Sequence, residues 1–243
     1  MADWNDTRQQ TGFSSVPRAG DAVARRATYD MGLRAHMLKI YNYMTSGVLL
    51  TGIVALVAAN SGFTASMAGS PLMWLIVLSP LAIVFAMSFG ANRFSTTTLQ
   101  AMFWGFATLM GLSLSTVFLV YTGESIAATF FATAGAFAGL SLYGYTTKKD
   151  LSGFGTFLVM GVVGLLIAMV LNIFLQSSAL GLAISFLGVL IFAGLTAYDT
   201  QRLKEQYAML RGSDFAGKAV VLGALTLYLD FINMFQFLLS FMG

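Results

Sequence analysis

Leu225–Phe235 reads LTLYLDFINMF, and ten of its eleven residues suit a buried helix. The other is Asp230, a carboxylate in the middle of an apolar run that covers residues 218–241. A helix needs ~20 residues to cross a ~30 Å hydrocarbon core, so this run is long enough to span a membrane. Six further runs qualify: 41–62, 72–92, 98–121, 124–146, 153–176 and 180–201. All are too long, and too far from alternating polar with apolar residues, to be barrel strands. The chain is 57% hydrophobic and 9% charged, against about 25% charged in a soluble domain. The expected fold class is therefore an all-α integral membrane protein with seven transmembrane helices.

The basic residues support that number. Arg8, Arg18, Arg25, Arg26, Arg34 and Lys39 precede the first run. Arg93, then Lys148 and Lys149, then Arg202, Lys204, Arg211 and Lys218 follow in alternate connections. Those are all 13 Lys and Arg residues of the chain. With seven helices every one falls on the same side, and positive charge marks the cytoplasmic side. The N-terminus is thus expected in the cytoplasm and the C-terminus in the periplasm. Residues 1–40 read as a basic cytoplasmic tail, disordered over 1–20 and an interfacial helix over 21–40. Residues 41–243 read as the membrane domain. No short apolar core with a small-residue cleavage site opens the chain, and the location expected is a bacterial inner (plasma) membrane.

Several chemistries are excluded. There is no cysteine, and the single histidine, His36, cannot build a histidine metal site or a Ser/His/Asp triad. No phosphate-cradling loop is present, so no cofactor and no nucleic-acid partner are expected. Glycines inside the runs (Gly135 and Gly139, Gly161 and Gly164, Gly188, Gly194) read as helix-packing positions. Asp150 precedes a run and is placed to cap it.

Two acidic residues lie inside runs. A central Asp costs about 2.5–3.5 kcal/mol to insert, so it faces the bundle interior and has a partner. Asp230 lies about 18 Å into its run. Gly223, Thr226 and Asn233, at i−7, i−4 and i+3, line one small and polar stripe with it. Asp199, in AYDTQRLK (197–204), has Arg202 at i+3 as a ready partner. With the sixth run ending at residue 201, Asp199 lies only a few Å inside the boundary. Contact between the two carboxylates requires the sixth helix to run deeper, or the seventh to enter later.

YTGESIAATFFATAGAFAGLSLYGYTTKKDLSGFG (121–155), AYDTQRLK (197–204) and LTLYLDFINMF (225–235) together resemble the Bax inhibitor-1 family, also called the transmembrane Bax inhibitor motif family, in the style of its bacterial members. The resemblance covers about residues 41–243. It implies a bundle of six helices around a central seventh, and a pH-sensitive Ca²⁺ leak whose sensor is an aspartate on each of the last two helices. By motif these match Asp199 and Asp230, which are also the expected transient ligands for Ca²⁺. The resemblance further implies an arginine latch near the cytoplasmic end of the second helix, for which Arg93 is the candidate. Thr226, Asn233 and Arg202 are the supporting polar residues. Two carboxylates in a low-dielectric site resist ionising together, so they are expected to share a proton and titrate as a pair. Two other readings stand beside the leak. One is a non-transporting regulator that binds another membrane protein, such as a membrane-anchored ATP-dependent protease. The other is an intramembrane aspartyl protease; the Gly-Asp setting expected of that chemistry is absent from both motifs, and no enzyme activity is expected.

Overall fold

The computed structural model describes residues 19–67 and 69–242, with the side chains of residues 19–27 left out. The disordered tail expected at the start of the chain falls largely outside these residues. The chain divides into two units, 1–35 and 36–243. Nine helices lie within the described residues: α1 (Ala19–Asn60), α2 (Phe63–Met67), α3 (Pro71–Gly90), α4 (Thr96–Leu114), α5 (Val117–Val120), α6 (Gly123–Thr146), α7 (Ser152–Leu175), α8 (Ser178–Leu210) and α9 (Ala216–Met242). Seven stretches are long and apolar enough to cross a membrane, α4 and α5 together forming the third. The expected runs and these spans agree closely except at two ends. Helix α1 begins well before residue 41, with no break at residue 40, and α8 runs nine residues past the expected end at 201.

Helix ends follow local chemistry. Ser95, Thr122 and Ser177 each turn a side-chain oxygen onto a free backbone N–H, of Thr98, Ser125 and Leu180 respectively. Asp150 accepts a 2.8 Å hydrogen bond from the Ser152 N–H, as expected of a capping carboxylate. The Ser152 side chain, and after it the Ser152 N–H, hold its carboxyl below the usual carboxylate range. Pro71 opens α3, where its missing N–H costs nothing. Pro80 lies inside the same helix, and its absent N–H leaves the Ile76 carbonyl without its helical donor. The Ser79 hydroxyl donates to that carbonyl at 2.9 Å, so the ladder is repaired in place.

The core of the bundle is α9. Two thirds of its apolar span is buried, against a third or less of every other span. A helix enclosed by its neighbours is buried around most of its circumference, and Asp230, Leu227, Tyr228 and Leu225, which follow one another around more than half of α9, are all buried. It packs on α8, α6 and α4. Tyr228 meets Phe103 and Phe106 of α4 edge-to-face, and its hydroxyl bonds that of Thr51 on α1 at 2.6 Å. Phe231 meets Phe130 and Phe137 of α6 in the same way.

Close backbone approach places the helices beside α9. A Cβ on Gly144 of α6 would lie 2.1 Å from the Ala197 carbonyl oxygen of α8. Gly188 of α8 accepts the ring of Phe237, and Gly194 accepts Leu158 and Phe154 of α7. These fit the packing expected of such glycines, as does Gly161 against Ile191. Gly135, Gly139 and Gly164 do not: nothing lies within 4 Å of a Cβ built on any of them. Sequence spacing places small residues on one stripe but does not say whether that stripe faces in or out. Gly135→Leu and Gly139→Leu are therefore expected to leave thermal unfolding of the purified protein within about 0.5 kcal/mol of wild type. A loss of several degrees in either melting curve would show a neighbour at that face.

Candidate functional site

The sixth span's extra length brings the two membrane aspartates to nearly the same height. Asp199 lies eleven residues before the end of α8 at Leu210, about 16 Å along the axis. Asp230 lies fourteen residues after the start of α9 at Ala216, about 21 Å. Measured from the α8–α9 connection, they sit at nearly the same height. The difficulty raised by a sixth helix ending at residue 201 is removed, because LKEQYAML continues the helix as good helix-forming residues after the apolar run has ended. Helices α8 and α9 pack on each other along this length, and both carboxyls are buried in that region.

Both are buried, Asp199 at 7% exposure and Asp230 at 4%. Their surroundings differ. Asp199 also has the Arg202 guanidinium 3.9 Å away, on a side chain that is 57% exposed. A pair so long and so open to solvent adds little stability. Among the described residues no ion pair reaches Asp230, and its Oδ2 has no hydrogen-bond partner. Arg93 lies in the turn after α3, and the structure does not bring it to Asp199: the guanidinium there is that of Arg202, which its i+3 position delivers from the same helix. What the 91–95 turn receives instead is Lys218 of α9, whose Nζ donates to the carbonyls of Ala91 and Asn92.

The rest of AYDTQRLK anchors α8 to three further elements. The Thr200 hydroxyl bonds Ser141 of α6 at 2.9 Å, and Ser141 in turn bonds the Tyr41 hydroxyl of α1. Gln201 accepts from the Leu151 N–H at 2.9 Å and donates to the Lys149 carbonyl at 2.7 Å, holding the α6–α7 loop from both sides. The Lys204 Nζ donates to the Tyr145 carbonyl in the last turn of α6, where a cation also suits the helix dipole. Tyr41 and Ser141 were not singled out from the sequence, since a lone hydroxyl inside an apolar run has no pattern to betray it.

Two cavities end on the carboxyl pair. One, of about 410 Å³, is lined by Asp199, Arg202, Gln206, Phe215 and Thr226, among others. The other, of about 920 Å³, lies between α7, α8 and α9 and is lined by Asp230, Thr226, Asn233, Gln236 and Ser240 on its α9 side. Thr226 is common to both. The expected polar stripe of α9 therefore borders cavity rather than packed protein. Thr226 Oγ1 and Asn233 Nδ2 both donate to carbonyls one turn back, of Leu222 and Leu229, which leaves oxygen acceptors to face the cavities. Among the described residues no three His, Cys, Asp or Glu side chains cluster to hold a resident metal ion.

Comparison with known proteins gives one consistent result. The family model described as inhibitor of apoptosis-promoting Bax1 matches residues 33–243. An uncharacterized protein of Caulobacter vibrioides is 50% identical over 228 residues, covering 88% of this chain and 90% of that one. The Escherichia coli K12 inner membrane protein YbhL is 44% identical over 231 residues, covering 93% and 97%. An uncharacterized protein of Deinococcus radiodurans is 41% identical over 220 residues, covering 90% and 94%.

Proposed function

The chain belongs to the Bax inhibitor-1 family, and from that membership we propose that it is a pH-sensitive Ca²⁺ leak of a bacterial inner membrane, gated by the proton shared between Asp199 and Asp230. The observation that carries this reading is the pair of cavities that approach the two carboxyls from opposite sides and meet at Thr226. A path for an ion needs entry from both faces and a short barrier, and the carboxyls with Thr226 form that barrier. The donors there are oxygens, which suit a hard cation. Two carboxylates with a few neutral oxygens bind Ca²⁺ weakly enough for it to leave again, as conduction requires. A shared proton neutralises half of that charge, so proton occupancy sets whether a divalent ion is attracted. Arg202, half exposed over Asp199, is the cation an incoming ion displaces. The N-terminus lies in the cytoplasm and the C-terminus in the periplasm, on the charge distribution of the loops. The protein needs no cofactor for this, and Ca²⁺ is cargo.

One observation favours a second reading. Gly135 and Gly139 face outward on α6 and meet nothing in this chain, which suits a regulator that binds another membrane protein, a membrane-anchored ATP-dependent protease being one kind. Reconstitution separates the two. Ca²⁺ entry into proteoliposomes, followed with an entrapped indicator at about pH 6, 7 and 8, is expected to exceed that of protein-free liposomes and to vary with pH. Entry indistinguishable from protein-free liposomes at every pH would remove the leak and leave the regulator.

A further inference from the structure

The motif AYDTQRLK turns two faces of α8 to two different neighbours. At about 100° per residue, Ala197, Thr200, Gln201 and Lys204 fall within one arc of about 100°, and Arg202, Asp199 and Leu203 fill the arc opposite. The first face meets α6 and the α6–α7 loop. Gly144 leaves room there for the Ala197 carbonyl, Thr200 bonds Ser141, and Lys204 donates to the Tyr145 carbonyl. The second face lines the smaller cavity together with Ala219, Leu222 and Gly223 of α9. Asp199 therefore points toward α9 only while the opposite face keeps its bonds.

Gln201 carries most of that hold. It is 4% exposed. Its amide oxygen accepts from the Leu151 N–H at 2.9 Å, and its amide nitrogen donates to the Lys149 carbonyl at 2.7 Å. Thr200 and Lys204 contribute one bond each. The loop that Gln201 grips is itself braced, because Asp150 caps the start of α7 from within it. A buried amide that loses its partners costs free energy, so α8 cannot turn freely while Gln201 stays satisfied.

We propose that Gln201 is the positioning residue of the carboxyl site: it fixes the rotation of α8 and so holds Asp199 toward α9, at the height of Asp230. Gln201 lines neither cavity, so it acts on the site through α8 alone. The consequence for Ca²⁺ rests on the leak proposed above; the orientation of α8 does not.

The chain has no cysteine, so an introduced pair reports one contact alone. A Cβ on Gly223 would lie 2.8 Å from a Leu203 methyl, and Leu203→Cys with Gly223→Cys puts two thiols across the α8–α9 contact within bridging reach. Disulfide formation under a mild oxidant is followed in the full-length protein in nanodiscs. Gln201→Met keeps the length of the side chain and removes both bonds. It is expected to slow bridging about fivefold or more. Gln201→Glu keeps the acceptor for Leu151 and loses the donor to Lys149, and its rate is expected to fall between Gln201→Met and wild type.

Ca²⁺ entry is measured on the same Gln201 variants without the cysteines. Besides the two carboxyls, Arg202 is the one charged side chain lining either cavity among the described residues, and Lys204 lies on the face turned to α6. Gln201→Met is expected to flatten the pH profile, because Asp199 is no longer held beside Asp230. Wild-type bridging in Gln201→Met overturns the proposal and leaves the leak standing. Slowed bridging with an unchanged pH profile also overturns it, because α8 then turns without disturbing the site. A wild-type protein that passes no Ca²⁺ removes the leak, and the bridging rates still decide whether Gln201 orients α8.

Discussion

Replacing Asp230 with asparagine is expected to flatten the pH dependence of Ca²⁺ entry into proteoliposomes and to lower the entry itself about tenfold or more. Asparagine has nearly the same shape as the carboxylic acid and still reaches Asp199. It cannot give up a proton, so the pair loses its shared titration, and it carries no charge, so a divalent ion meets one carboxylate instead of two. The loss of a charged ligand is worth roughly 1.5–3 kcal/mol, which sets the tenfold figure. Asp199→Asn is expected to act in the same direction. It also takes the partner away from Arg202, whose guanidinium already reaches solvent, so little stability goes with it. An Asp230→Asn protein that keeps the wild-type pH profile would place the sensor elsewhere. Thermal unfolding measured alongside shows whether a loss of flux comes from the site or from the fold.

Gly144→Leu is expected to give the largest loss of stability of any single change considered. The Cβ alone would sit 2.1 Å from the Ala197 carbonyl oxygen, and that atom belongs to a helix backbone that cannot turn aside as a side chain would. Overpacking of this kind costs about 3 kcal/mol or more, and it falls beside Asp199, two residues along α8 from Ala197. The expected outcome is a folded fraction that collapses in size-exclusion and melting profiles. Gly135→Leu, on the same helix with nothing within 4 Å, is the control for helix propensity and added bulk. Equal melting temperatures for the two variants would show that α6 and α8 do not approach so closely.

Much of this architecture is legible in the sequence because hydrocarbon imposes it. Span number and order follow from runs of about twenty apolar residues, and the placement of all 13 basic residues leaves little freedom in counting them. Apolarity marks where a chain enters lipid, not where its helix ends. Helix α8 therefore extends through KEQYAML beyond the apolar run, and the helix expected over 21–40 continues without a break into the first run as α1. The site divides along the same line. Asp199, Asp230 and the polar stripe with Thr226 and Asn233 announce themselves as costly groups at the wrong depth. Tyr41, Ser141 and Thr200 do not, because Ser141 lies 100 residues from Tyr41 and 59 from Thr200 and only the fold joins them. Arg93 and Arg202 were both at a plausible height, and helical spacing alone gave Arg202 a guaranteed neighbour.

The two cavities that share Thr226 have an electrical consequence. Where water fills them from either side, bulk potential reaches to within about one helical turn of the carboxyl pair, and most of the membrane voltage falls across that short length of α9. A charge moving through it experiences nearly the whole drop, about 2.3 kcal/mol per elementary charge for every 100 mV, and a divalent ion twice as much. On the function proposed above, the proton shared by the two carboxyls sits in that same field, so its occupancy is expected to answer to voltage as well as to pH.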